Sequence, residues 1–286
     1  MNIGFIGAGK VGFSLGKYFK EKGISVSGYY SQNRHSSAEA AKFTQTKSYD
    51  TIAELLNNSQ MVFITTTDQA IGQIWDQMKN LNVKNKLICH CSGSITSTVF
   101  FNGENLGAHI YSIHPLYAVS DKYNSWKGLS QAIFTVEGSI SAMDTILELF
   151  QKTKNKVTVI SKDQKSLYHC GASTCSNLVI SLFKVAIDML KDCGFTEEDA
   201  TNGLLPLFMG NCKNIENALL NGQPLYSALT GPIERNDVET VKKHLLSIET
   251  NACHTALYKI LSQELVALGK AKDETKDYSE IEEVLR

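Results

Sequence analysis

The chain has 286 residues, 43% of them hydrophobic, and its 28 Lys and Arg residues are balanced by 29 Asp and Glu residues. This length and apolar content predict two packed domains, whereas the charge balance provides no basic field for nucleic acid or an anionic membrane. The seven cysteines are irregularly spaced, which favours reduced thiols in the cytoplasm, and Cys89-His90-Cys91 has no second ligand cluster that would indicate a metal site.

The first predicted element is a short apolar strand, followed by the turn G-A-G-K-V-G, an amphipathic helix and a second strand that ends near Tyr30. This order is that of a dinucleotide-binding βαβ unit, in which the glycines permit a tight turn, close approach of a pyrophosphate and close helix packing. The helix N-terminus adds positive potential. We therefore predict a dinucleotide site formed by Gly7, Ala8, Gly9, Lys10, Val11 and Gly12.

The loop after the second strand indicates which dinucleotide binds. An NAD site usually carries an acid there to bind the ribose 2′-hydroxyl, but this loop has no carboxylate and offers Ser31, Asn33 and Arg34. A guanidinium with hydroxyl and amide donors suits a 2′-phosphate. The loop predicts NADP as the cofactor, the alternative being a solvated polar loop.

The alternation of strands and helices continues through apolar segments at 61–67, 86–91, 111–114, 132–136 and 157–160. In open α/β sheets, ligands bind beyond the carboxyl ends of the strands. We therefore expect Thr66, Thr67 and Ser92 to contact the cofactor, with His114 nearby, although Ser92-Gly93-Ser94 is equally compatible with an ordinary turn.

Long helical patterns replace the strands in the second half, over about 163–192, 197–220, 235–249 and 251–270, with a charged and frayed tail from about Lys272. We predict an α/β fold in which a doubly wound Rossmann domain, 1–161, precedes an all-α domain, 162–286. No apolar run reaches the roughly 18 residues of a membrane span, so we expect a cytoplasmic protein without membrane contact.

A polar series, defined as Lys165, His169, Ser173 and Asn177, recurs every fourth residue along an otherwise apolar helical pattern. Reduction of a ketone by hydride transfer leaves an alkoxide, which needs a proton donor and fixed hydrogen-bond donors. We predict His169 as this donor, Lys165 as its rival and His114 as the third candidate. Asn177 would orient the substrate and Ser173 would bind it, although each residue also suits the solvated edge of a helix.

The segment LTGPIERND lies between two predicted helices. Asp237 there is a good helix N-cap. Arg235, together with Thr230, equally suits the capture of a substrate carboxylate, because a guanidinium binds a carboxylate through two parallel hydrogen bonds.

Five segments together resemble the Rossmann-like oxidoreductases that carry the domain of unknown function DUF2520: GFIGAGKVG, HCSGSITS, IHPLYAVSD, LYHCGASTCSNLV and LTGPIERNDVETVKKHL. The resemblance implies an NADP-dependent oxidoreductase with a helical domain like those of 6-phosphogluconate dehydrogenase and pyrroline-5-carboxylate reductase, and a homodimer formed through that domain. The Lys-x-x-x-Asn pair of β-hydroxyacid dehydrogenases is missing, because Ser173 precedes Asn177 at that spacing.

Three functions are compatible with these features. The first, which one branch of the resembling family suggests, is reduction of a small 2-oxo acid, with 2-dehydropantoate (ketopantoate) as the leading substrate. The second is reduction of a cyclic imine, as in pyrroline-5-carboxylate reductase, where a protonated nitrogen needs no strong acid. The third is a non-catalytic NADP-binding sensor. The polar series favours the first, because a ketone requires a proton donor.

Overall fold

The computed structural model describes residues 1–286, which form two compact units, Met1–Asn177 and Leu178–Arg286. The predicted boundary after residue 161 lies 16 residues earlier than this division (177 − 161 = 16). The helix that carries most of the polar series therefore belongs to the N-terminal unit.

The N-terminal unit is built on one sheet of eight strands in the order β3-β2-β1-β4-β5-β6-β7-β8. The strands are β1 (Ile3–Ile6), β2 (Val26–Tyr30), β3 (Lys47–Ser48), β4 (Met61–Ile64), β5 (Leu87–His90), β6 (His109–Leu116), β7 (Ile133–Gly138) and β8 (Val157–Val159). The first six run parallel in the sheet, and β7 pairs antiparallel with β6. The chain order reverses between β1 and β4, the position at which open α/β sheets bind ligands.

Helices cover both faces of this sheet. They are α1 (Lys10–Glu21), α2 (Arg34–Thr44), α3 (Ile52–Asn57), α4 (Asp68–Met78) and α5 (Met143–Thr153), and the unit ends with α6 (Lys165–Thr174). Successive strand residues face opposite sides of a sheet, so Phe5 joins one apolar cluster, with Phe63 and Phe150, and Ile6 joins the other, with Trp75. The doubly wound fold predicted from the sequence is confirmed.

The helix predicted over 163–192 is interrupted. α6 ends at Thr174, and α7 (Asn177–Asp192) begins after a turn at Cys175 and Ser176. The hydroxyl of Thr174 donates to the carbonyl of Cys170 (2.9 Å), and that of Ser176 donates to the carbonyl of Ala172 (2.8 Å). Hydroxyls that bond back to the preceding turn compete with the helical ladder and bend helices, which explains the interruption.

The C-terminal unit is all-helical, as predicted. Its helices are α7, α8 (Glu197–Leu220), α9 (Val238–Ile248), α10 (Ala252–Lys272) and α11 (Ser279–Val284). The prediction of a frayed tail is wrong, because Tyr278, Ile281 and Leu285 are buried around α11. Their spacing places them on one face of a helix, which the charged residues between them obscure.

Many apolar side chains of the C-terminal unit are exposed, among them Ile180, Leu207, Leu220 and Leu246. The expectation that no apolar run is long enough for a membrane span is wrong on length and composition, because the 31-residue helical stretch Lys162–Asp192 satisfies both criteria. That stretch contains the whole polar series and the turn after α6. Length and composition alone are weak evidence for a span, and an exposed apolar face equally fits contact with another protein surface.

Candidate active site

The glycines of the first turn have separate structural roles. Gly7 has a φ of +100°, and a Cβ there would lie 2.9 Å from Cγ2 of Thr66. A Cβ on Gly12 would lie 2.3 Å from Oγ1 of Thr65, so α1 can approach the sheet only because this residue is glycine. A Cβ on Gly9 would have no neighbour closer than 3.8 Å. The backbone at Gly9 is therefore open to a ligand.

This open position lies at the N-terminus of α1. Gly9 is the N-cap, no side chain caps the helix, and the first turn contains no acidic residue. Backbone N–H groups at such a terminus bind anions, and the helix dipole favours negative charge. The turn formed by Gly7, Ala8, Gly9, Lys10, Val11 and Gly12 fits the pyrophosphate of a dinucleotide.

The loop after β2 lines a neighbouring cavity of about 160 Å³, to which Tyr30, Ser31 and Thr66 contribute. The side chain of Asn33 accepts a hydrogen bond from the backbone of His35 (3.0 Å) as the N-cap of α2, so its amide oxygen is partly engaged.

Arg34 is exposed and pairs with Asp50 at 3.3 Å, a carboxylate that sequence reasoning missed. An exposed ion pair contributes at most about 1 kcal/mol, so the guanidinium can exchange this partner for a phosphate.

Ser92 follows β5 and is engaged in a local hydrogen-bond network. Its hydroxyl donates to Oδ2 of Asp68 (2.8 Å) and accepts from the backbone of Ile95 (3.0 Å) and of Ser94 (3.2 Å). The turn that the sequence suggested is therefore present. Thr67, the N-cap of α4, is exposed, and its side chain makes no capping hydrogen bond. Contacts of Ser92 and Thr67 with the cofactor stay predictions.

A larger pocket, of about 720 Å³, lies beside the end of β6 and along α6. It is lined by His114, Leu116, Tyr117, Ala118, Tyr168, His169, Gly171, Ala172, Ser173, Cys175, Ser176 and Asn177. Four of the predicted site residues therefore share one pocket, and Lys165 is not among them. No carboxylate, ammonium or guanidinium group lines this pocket.

His114 and Tyr168 form the shortest polar contact at the pocket wall. Nδ1 of His114 lies 2.6 Å from the hydroxyl of Tyr168, and the two rings meet edge to face. Burial, reinforced by the charge of Lys165 and by His169, lowers the pKa of His114 to about 4, so its imidazole is neutral at pH 7. Burial also raises the pKa of Tyr168, and its hydroxyl therefore keeps its proton.

His169 approaches the same point from α6. A Cβ on Gly93 would lie 2.4 Å from Cδ2 of His169 and 3.1 Å from Nε2 of His114. The ring centroids of the two histidines are 6.5 Å apart. Gly93 thus lets both imidazoles close against the turn after β5, and any larger residue would push them apart.

Lys165 lies one turn before His169 on α6 but is completely buried, with no hydrogen-bond partner for its ammonium. Its Nζ lies 5.5 Å from the ring centroid of Tyr168. Burial lowers the pKa of Lys165 to about 8, an effect opposed by Glu137, Cys91 and Asp68. The predicted role of Lys165 as a direct proton donor does not fit this position, because the side chain does not reach the pocket.

Thr230 and Arg235 belong to the C-terminal unit, and both are exposed. Thr230 lines two shallow depressions there, and Asp237 caps α9 by accepting from the backbone of Thr240 (3.0 Å). The capping role of Asp237 is confirmed, whereas substrate binding by Thr230 and Arg235 stays a prediction.

Two known families match separate parts of the chain. Residues 2–92 match the family of NADP oxidoreductases described as coenzyme F420-dependent, and residues 132–265 match the domain of unknown function DUF2520. The family of the N-terminal match supports NADP as the cofactor. No curated protein sequence matches the chain.

Solved structures resemble the chain over nearly its whole length. Protein TM1727 from Thermotoga maritima has a TM-score of 0.75 and 21% identity, covering 94% of this chain and 99% of that one. A putative NADP oxidoreductase from Bacteroides fragilis has a TM-score of 0.66 and 21% identity, covering 93% and 98%. Pyrroline carboxylate reductase from Plasmodium falciparum, solved with NADP bound, has a TM-score of 0.57 and 15% identity, covering 94% and 98%. At these identities the likeness shows a shared fold.

Proposed function

We propose that this chain, which joins a Rossmann domain of NADP-oxidoreductase type to a DUF2520 domain, is an NADPH-dependent reductase of a small cyclic imine. The observation that carries the proposal is the meeting of His114, Tyr168 and His169 in a pocket without formal charge, beside the carboxyl ends of the strands that form the dinucleotide site. Bound NADPH supplies the hydride that reduces the double bond.

The chemistry of the pocket suits a C=N bond. A protonated imine already carries the proton that its nitrogen needs, so its reduction leaves a neutral amine and requires no strong acid. His114 is neutral at pH 7 because burial lowers its pKa to about 4, so its Nδ1 can accept from the Tyr168 hydroxyl, whose oxygen can in turn accept a hydrogen bond from the N–H of the protonated imine. The likeness to a pyrroline carboxylate reductase over 94% of the chain supports this substrate class.

A 2-oxo acid is the second candidate substrate. The observation that favours it is the presence of three side chains that can donate hydrogen bonds, Tyr168, His114 and His169, around one point of the pocket. Such donors could stabilise and protonate an alkoxide. The leading 2-oxo acid expected from the sequence, ketopantoate, gains no support from the comparisons, which favour the imine.

One assay separates these substrates. The purified chain is mixed with NADPH and, in turn, 1-pyrroline-5-carboxylate, 1-pyrroline and 2-dehydropantoate, while the absorbance of the reduced nicotinamide is followed. We expect kcat/KM to be larger for the imines. Turnover of 2-dehydropantoate alone would overturn the proposal, and NADPH binding without any turnover would favour the sensor.

Tyr168→Phe tests the site itself. Loss of a group that hydrogen-bonds to the charged nitrogen should lower kcat/KM by roughly ten- to a hundredfold, because a hydrogen bond to a charged group contributes about 1.5–3 kcal/mol. Tyr49→Phe is the matched control, because Tyr49 also loses one hydroxyl in the N-terminal unit but bonds only the backbone of Ser27 (3.3 Å). Equal changes in kcat/KM in the two variants would show that the hydroxyl of Tyr168 does not take part in the reaction.

The same proposal includes a cytoplasmic homodimer formed through the helical unit. All seven cysteines are unpaired, which supports a reducing compartment. The exposed apolar side chains of the C-terminal unit support a second copy as the partner, since a monomer rarely exposes so many.

A further inference from the structure

The ammonium of Lys165 is a buried charge without a direct partner. Its side chain is 0% exposed, and no acceptor lies within hydrogen-bond distance of Nζ. Glu137, the buried carboxylate of β7, uses both oxygens on Ser97, accepting from its backbone and its hydroxyl at 2.7 Å each. An unpaired buried charge is costly, so its position calls for an explanation other than stability.

Lys165 lies directly behind the polar wall of the pocket. Its Nζ lies 5.5 Å from the ring centroid of Tyr168, which lines the pocket, and the hydroxyl of Tyr168 is hydrogen-bonded to His114. Titratable groups on the other packed elements face it too: His90 of β5, Cys91 after that strand, Glu137 of β7, Asp68 of α4 and His114 of β6.

We propose that Lys165 is a positioning residue that acts through His114 and Tyr168, its positive charge adding to burial in keeping the imidazole neutral, so that Nδ1 of His114 can accept a hydrogen bond from the Tyr168 hydroxyl. This inference rests on the proposed reductase function, in which Tyr168 contacts the reacting nitrogen. Lys165 itself touches neither substrate nor cofactor.

The physical basis is the repulsion between two cations in a medium that screens poorly. The positive charge of Lys165, 5.5 Å from the ring centroid of Tyr168, disfavours a second positive charge on the neighbouring imidazole of His114. The pKa of His114, lowered to about 4 by burial first and by Lys165 next, agrees with this geometry. Because burial lowers the pKa of Lys165 to about 8, the charge disappears as the pH rises through that value.

The test is a titration of His114 followed by NMR of its labelled imidazole, in the intact chain without substrate. In Lys165→Met, which keeps the length of the side chain but removes the charge, the midpoint of the titration should rise by about one pH unit. Lys162→Met is the matched control, because Lys162 is exposed and lies three residues earlier in the same segment. An unchanged midpoint in Lys165→Met would overturn the proposal.

A second readout uses the pH dependence of kcat. The wild type should lose activity as the pH falls through about 4, where His114 gains a proton, and in Lys165→Met this acidic limb should lie about one pH unit higher, while Lys162→Met leaves it unchanged. An acidic limb that lies at the same pH in Lys165→Met and in the wild type would contradict the role.

A third readout keeps the proposal testable if Lys165→Met does not fold. In the wild type, the resonances of His114 and Tyr168 should move together with that of the Lys165 Nζ near pH 8, and the absence of such a step would refute the coupling. Because both NMR measurements need no turnover, failure of the proposed enzyme activity would leave their outcome readable.

Discussion

The two units of this chain bury their apolar side chains to very different degrees. The N-terminal unit encloses two clusters of Phe, Ile and Leu side chains on the two faces of its sheet. The C-terminal unit has one small cluster, which includes Val241, Val266 and Tyr278, and long helices whose apolar residues are largely exposed. The first unit buries most of its large apolar side chains, although Ile140 is 91% exposed, whereas the second leaves the apolar residues of its long helices largely exposed.

The difference also separates two kinds of constraint. In the N-terminal unit, the glycine turn and the pocket are closely packed, because a Cβ on Gly12 would lie 2.3 Å from Oγ1 of Thr65 and a Cβ on Gly93 would lie 2.4 Å from Cδ2 of His169. In the C-terminal unit, a Cβ added to a glycine such as Gly203 would meet no other atom within 4 Å. Substitutions should therefore act on packing and catalysis in one unit and on association in the other.

The largest effect is expected from placing charged residues on the exposed apolar surface of the C-terminal unit, which should weaken association of the chain. Ile180 and Leu207 are 71% and 64% exposed, and burying a carboxylate in place of either in a dimer interface is costly. The double variant Ile180→Glu, Leu207→Glu should raise the dimer dissociation constant by roughly a thousandfold, measured by analytical ultracentrifugation.

Ile140→Glu is the control for that experiment. Ile140 is 91% exposed but belongs to the N-terminal unit, so its replacement should leave the dissociation constant unchanged. A wild type that is monomeric, or an equal effect of the control, would remove the contrast between the units.

A buried histidine makes the stability of the N-terminal unit depend on pH. Burial lowers the pKa of His90 to about 4, although its ring bonds the carbonyl of Thr96. The neutral ring is therefore favoured in the folded state, and its contribution, up to about 3 kcal/mol, is lost as the pH falls from about 6.5 to 4.

His90→Gln should flatten this part of the curve, although His114, whose pKa is also lowered to about 4, would leave some slope. The free energy of unfolding in urea, measured at a series of pH values, gives the answer. A parallel curve for the variant would show that His90 is not the source.

A smaller effect is expected from adding one methyl group to a glycine in each unit. Gly12→Ala would place Cβ 2.3 Å from Oγ1 of Thr65, which should destabilise by about 1–3 kcal/mol and weaken NADPH binding. Gly203→Ala, inside α8, should instead stabilise by up to about 1 kcal/mol through helix propensity. Urea unfolding measures the free energy of unfolding of both variants. Equal losses of that free energy would contradict the difference in packing.

The sequence predicts the glycine turn and the strands well, because local apolar runs and turn residues determine them. It places His169 and Ser173 on one helix correctly for the same reason. Tyr168 could not be found in this way, since its partner His114 lies 54 residues earlier in the chain and no spacing rule connects the two.

Lys165 and α11 are both buried in ways that local sequence pattern does not predict. Lys165 shares the four-residue spacing of the polar series, yet tertiary packing buries it behind Tyr168. The residues of α11 have a charged composition, yet Ile281 and Leu285 pack against the rest of the helical unit. Burial depends on neighbours that are distant in sequence, so local pattern alone predicts neither.

The most direct test of the proposed function follows a labelled hydride. The chain is incubated with 1-pyrroline-5-carboxylate and NADPH deuterated at C4 of the nicotinamide, and the product is analysed by NMR. We predict deuterium on the carbon of the former C=N bond, with a transfer rate reduced roughly ten- to a hundredfold in Tyr168→Phe. The proposed function would be contradicted if the product from 1-pyrroline-5-carboxylate carried no deuterium while a parallel incubation with 2-dehydropantoate gave a labelled product. Transfer at the wild-type rate in Tyr168→Phe would contradict the role of Tyr168.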